Sequence, residues 1–264
     1  MENLTGHYIK DLYLYRKMLV IMAATFVLLL GFGLAYRYAY DFGNLAAYTD
    51  DIEWSKRVTE ITFTFLAGFL TMALSFGFVL TSINSDITSR YIMYAYTTPD
   101  FYRKQISAKL MEVLTCIGVS VFVELLYGLI FGLLFGFANV KIALCLGIIA
   151  ITFMTFILCI AIPLTYKFKS SDKGLGLVML VGIVLLYGGV LLISISKFRS
   201  TFIGKLEKLS ERISEEGFGV VSAFFWNNAG AITLILLLIM SCGFLITYFG
   251  LKKVLTRSEL ICGD

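Results

Sequence analysis

Charge, proline and histidine are all scarce in this chain. Only 15% of its 264 residues are charged, against 59% hydrophobic, whereas a soluble domain carries about 25% charge. The apolar surface exceeds what one core could bury, which excludes water as the natural solvent and leaves lipid. Two prolines in the whole chain suit a mostly helical body, because proline disrupts helix interiors. The single histidine, His7, excludes an H-E-x-x-H metal site and a Ser–His nucleophile pair. No G-x-x-x-x-G-K-[ST] occurs, and Gly204-Lys205 is followed by leucine, so the chain has no P-loop to cradle a nucleotide. No Gly-x-Ser-x-Gly supports a serine hydrolase. The five cysteines (Cys116, Cys145, Cys159, Cys242 and Cys262) form no CxxC or Cys/His spacing, so no zinc site is expected. None falls in a predicted external loop, so no disulfide is expected.

What is present is a set of long apolar runs. A bilayer core of about 30 Å takes about 20 helical residues. Six segments meet that length: Met18–Tyr36, Ile61–Ile83, Val113–Asn139, Ile142–Tyr166, Gly174–Ser196 and Ala229–Gly250. Strict polar/apolar alternation is missing, so these are helices rather than barrel strands. The expectation is one all-α transmembrane domain over residues 1–264 with six spans. Leu4–Lys17 has Tyr8, Leu12 and Tyr15 on one helical face and reads as an interfacial helix. The first apolar run lacks a cleavage site and reads as a retained span. Val140–Lys141 is the predicted turn between spans three and four. In the fifth loop, Lys197–Asn228, Phe202, Leu206, Leu209 and Ile213 recur at helical spacing and predict an external amphipathic helix. Val220–Trp226, apolar but too short to span, is expected to dip into the outer leaflet before Asn227 and Asn228 start the last span.

Net charge is +4, and its distribution is more informative than its total. With the termini and the second and fourth loops on one side, that side holds thirteen of the 22 basic residues. Basic residues mark cytoplasmic loops, so both termini are expected in the cytoplasm of a multi-pass plasma-membrane protein. The basic balance reads as topology, not as nucleic-acid binding.

The connector between spans two and three, Asp86–Lys109, stands apart from the other loops. It holds Arg90, Arg103, Lys104 and Lys109, one proline and five aromatic residues. On the residues alone it is either a basic loop resting on lipid headgroups or a docking segment. Asp86, Thr88-Ser89, Arg90, Tyr94, Pro99, Arg103 and Lys109 resemble the cytoplasmic coupling segment of ABC-2 type transporter permeases. Ile9-Lys10-Asp11-Leu12 and Arg16-Lys17 before the first span, and the six-span count with a long external fifth loop, resemble the same family. That family usually has glycine after the Thr/Ser pair, where this chain has Arg90. The resemblance implies the membrane half of an ATP-driven exporter, bacterial and itself non-catalytic. It implies no cofactor in this chain, with ATP and Mg bound by a separate cytoplasmic ATPase partner. A second permease subunit, a copy or a paralogue, would complete a dimer. Pro99 would set a bend, Tyr94, Tyr96 and Phe101 would fill a groove on the ATPase, and Arg90, Arg103 and Lys104 would meet its acidic rim. The similarity is to small permeases of Gram-positive bacteria that export, or give immunity to, amphipathic toxin and antimicrobial peptides, including phenol-soluble modulins. An amphipathic peptide is therefore the implied cargo, with a lipid or drug as the alternative.

Glu124 is the one acidic or basic side chain deep inside a predicted span. A charge at bilayer depth costs roughly 2.5–3.5 kcal/mol or more. It is either a polar point on a substrate path or dimer interface, or a protonated or hydrogen-bonded glutamate that locks helices together. Gly128, Gly132 and Gly136 share its span at four-residue steps and permit close helix approach. That stripe makes the span a candidate interface, although such stripes more often serve packing within one chain. A channel, a secondary transporter or an intramembrane enzyme would need further buried acids or broken spans.

Overall fold

The computed structural model describes residues 2–41, 52–88, 100–180 and 219–256. Within them every regular element is a helix: α1 (Glu2–Asp41), α2 (Ile52–Thr88), α3 (Phe101–Phe135), α4 (Phe137–Phe168), α5 (Gly219–Asn227) and α6 (Ala229–Leu255). Residues 171–180 are also helical. Five of these helices, α1 to α4 and α6, are long and apolar enough to cross a membrane. Over the described residues the chain is thus an all-helical, multi-pass membrane protein. The predicted fifth span, 174–196, starts in the 171–180 helix, and its remainder lies outside the described residues, as does the predicted amphipathic helix of the fifth loop.

Three boundaries differ from the sequence expectation. The predicted interfacial helix and first span form one continuous 40-residue helix, α1. Residues 7–30 contain neither glycine nor proline, so nothing interrupts the backbone ladder at Lys17. At about 1.5 Å per residue α1 is roughly 60 Å long, twice the hydrocarbon thickness, so it projects from the bilayer or tilts. The turn between α3 and α4 falls at Gly136, with φ 97° and ψ 153°, rather than at Val140–Lys141. Glycine adopts that positive φ without a Cβ clash, whereas Lys141 stays exposed in the second turn of α4. Finally, α3 begins at Phe101, twelve residues before the predicted start of the span at Val113. Asp100 precedes it in the left-handed region, and its carbonyl accepts the backbone N–H groups of Arg103 and Lys104 at 3.1 and 3.2 Å.

The bundle is built around α2 and α4. Half of the α2 span is buried, against 6% of the α6 span. One core, including Met72, Val79, Ile83, Ile106, Leu158 and Ile162, fills the connector end of the bundle. A smaller aromatic core, including Tyr127 and Phe131, fills the opposite end. There the Tyr127 hydroxyl donates to the Leu29 carbonyl of α1 at 3.0 Å.

The α4–α6 contact follows from one proline. Pro163 lies inside α4 and has no N–H, so the carbonyl four residues earlier, at Cys159, loses its helical donor. Thr247 of α6 supplies the missing donor, its hydroxyl 2.8 Å from the Cys159 oxygen. Gly243 and Gly250 flank Thr247 and bring the helices together. A Cβ at Gly250 would lie 2.8 Å from the Pro163 ring. Asn228 precedes α6, whereas Asn227, also expected to start it, ends α5; the Asn228 side-chain amide donates back to the Phe224 carbonyl at 2.8 Å.

Candidate functional site

One face of α3 carries Gln105, Lys109, Glu112, Cys116, Ser120, Glu124 and Tyr127 at three- and four-residue steps, and all are buried. A matching file on α2 holds Glu60, Thr64, Gly68, Thr71, Ser75, Ser82 and Asp86. Because α2 and α3 run antiparallel, the two files face each other and place polar groups in layers.

The connector-end layer is the richest in charge. Lys109 Nζ donates to Ser82 Oγ at 2.7 Å and lies 3.2 Å from Asp86 Oδ2 and 3.0 Å from Glu112 Oε2. Asp86 Oδ2 also accepts from Gln105 Nε2 at 3.1 Å and from the Tyr166 hydroxyl of α4 at 3.2 Å. Gln105 Nε2 reaches the same Tyr166 oxygen at 3.1 Å. The Lys109, Asp86 and Glu112 side chains are 0%, 1% and 0% exposed. Charges removed from water survive only with partners at this range and with their remaining hydrogen bonds satisfied. The result is a clamp joining α2, α3 and α4 directly beneath the connector. These contacts tie the three helices together at this end of the bundle.

The middle layer is different in kind. The Glu124 carboxyl lies in a notch between two glycines: a methyl group at Gly68 of α2 or at Gly147 of α4 would overlap it. It is 1% exposed, and neither of its oxygens has a hydrogen-bond partner among the described residues. Thr64, one turn along α2 from Gly68, also has a buried hydroxyl without a partner. At the far end, Glu60 accepts from Arg37 of α1 at 2.9 Å. The Arg37 guanidinium sits 4.6 Å from the centre of the Phe135 ring, a cation–π contact.

The residues singled out from sequence distribute as follows. Asp86 and Lys109 meet each other in the clamp. Phe101, expected to fill a groove on a partner, is 3% exposed in the chain's own core. Arg103 and Lys104 stand one turn into α3, with Arg103 exposed and beside the Tyr102 ring at 5.8 Å. Arg90, Tyr94, Tyr96 and Pro99 lie outside the described residues. Gly128 packs on Val140 and Leu144 of α4, each 3.1 Å from a Cβ built there, and a Cβ at Gly132 would overlap the Phe137 ring. The glycine stripe therefore closes the α3–α4 hairpin within one chain. Sequence reading missed Glu112, Gln105, Ser82, Tyr166, Gly68 and Gly147. Glu112 had a local signal, because Lys109 and Glu112 are three residues apart and share a helix face. No protein-family model, no curated protein and no solved structure matches this chain.

Proposed function

We propose that this chain is the transmembrane permease subunit of an ABC exporter, driven by ATP that a separate cytoplasmic ATPase hydrolyses. The observation that carries the reading is the buried Asp86–Lys109 ion pair at 3.2 Å. It ties together the two feet of the connector, so a push on residues 87–108 moves α2 and α3 as one body rather than bending a loop. A loop that only rested on lipid headgroups would have no need of a buried three-helix clamp at its base.

In this reading the connector faces the cytoplasm with both termini. Arg103 and Lys104, with Arg90, Tyr94, Tyr96 and Pro99, meet the ATPase, while Asp86, Phe101 and Lys109 act one step behind, as positioning residues. The apolar outer faces of α1 and α6 leave room for a second permease subunit, the same chain or a paralogue. The cargo, an amphipathic peptide, rests on the family resemblance, and a lipid or drug is the competing cargo.

The test is charge reversal in the assembled transporter. Arg103→Glu with Lys104→Glu should leave the chain folded and membrane-inserted but remove substrate-stimulated ATP hydrolysis by the co-expressed ATPase. Hydrolysis and export that survive both reversals, together with Arg90→Glu, would refute the proposal.

A further inference from the structure

Every other buried acid in the described bundle has a cation beside it: Asp86 and Glu112 share Lys109, and Glu60 has Arg37. Glu124 has none. It is held between the two cores, about 18 Å along α3 from Glu112. The groups facing it can be named from each packed helix. From α2 come Gly68 and, a turn further, the unpartnered Thr64 hydroxyl. From α4 come Gly147 and, two residues before it, the half-buried Cys145. On α3 itself Ser120 and Tyr127 are spoken for, donating to the Cys116 and Leu29 carbonyls at 2.8 and 3.0 Å. None of these groups supplies positive charge.

We infer that Glu124 is a proton-binding site, holding its proton while α2, α3 and α4 are packed and able to release it only when the Gly68–Gly147 notch opens to water. An ionised carboxylate in this notch would face no cation and no donor, at a depth where charge is expensive. A metal cation is a poorer occupant than a proton. Hard cations take six or more oxygens, whereas the carbonyls around the notch are committed to their own helices and glycine offers no side chain. The two glycines have a reason in this picture, since any Cβ at either position would push the carboxyl out of its seat. Closure of α2 against α4 is thereby tied to proton occupancy, which makes the site a proton-linked latch. The inference does not depend on an ATPase partner, so the chain alone suffices to test it.

The experiment is infrared difference spectroscopy on the full chain in proteoliposomes, wild type against Glu124→Gln, at neutral pH. The expected result is a protonated-carboxyl C=O band that is present in wild type and absent from the variant. Loss of carboxylate bands in the variant instead would overturn the inference, because it would mean that Glu124 is ionised. Glu124→Met is the companion variant. A neutral, unpartnered acid can be replaced by a neutral side chain of similar size, so at least one of the two variants should match the wild type's thermal stability. If neither folds, the inference also fails.

Discussion

Replacing Lys109 with methionine removes the cation from between Asp86 and Glu112 while keeping the side chain's length, so the loss is electrostatic rather than a cavity. Lys109 Nζ stands 3.2 Å from one carboxylate and 3.0 Å from the other, with all three side chains at most 1% exposed. Taking one member from a buried ion pair costs about 3–5 kcal/mol, because the remaining charge is left without compensation. Here two carboxyls are left, so the upper part of that range applies. For a protein of this size the loss corresponds to a drop in Tm on the order of 10 °C. The assay is thermal unfolding of the purified chain, followed by the surviving monodisperse fraction. The double variant Lys109→Met with Asp86→Asn separates pairing from packing. Its loss should be smaller than the sum of the single losses by more than about 1 kcal/mol, the signature of two groups in direct contact. A Lys109→Met loss under about 0.5 kcal/mol, the size of an ordinary surface change, or additive losses in the double variant, would refute the clamp.

Two further outcomes follow from the α4–α6 contact. Thr247→Val removes the donor to the Cys159 carbonyl that Pro163 leaves open, and should cost about 1–3 kcal/mol by the same unfolding assay. Pro163→Ala in that background should recover part of the loss, since it restores a helical N–H; no recovery would contradict the assigned role. Gly250→Val places side-chain atoms against the rigid Pro163 ring and should cost about 1–3 kcal/mol, whereas the same change at Gly77, which has open space around it, should cost less than about 1 kcal/mol beyond helix propensity.

The spans were legible because lipid imposes one rule on about 20 residues at a time, and α2, α3, α4 and α6 contain the runs that rule selects. Boundaries were less so. Lys141 looked like a loop residue because it is charged, but a lysine in the second turn reaches water from inside a helix, and the chain turns where a glycine permits it. Asp86 and Lys109 stood out in the sequence as ends of an unusual connector. That they bind each other depends on the antiparallel register of α2 and α3, which no local pattern reports. Glu124 was legible as an anomaly, an acid in an apolar run. Its setting was not, because Gly68 and Gly147 lie 56 residues before it and 23 after it, and neither is marked by spacing. Glu112 was missed for a simpler reason: the predicted span began one residue after it.

The central claim is that an external motor grips the connector. Co-expression of the chain with any ABC ATPase encoded beside it, followed by purification through a tag on the chain, tests this most directly. The account predicts a stable complex with substrate-stimulated ATP hydrolysis, and loss of that stimulation on Arg103→Glu with Lys104→Glu. A chain that purifies without the ATPase and still moves its substrate would contradict it.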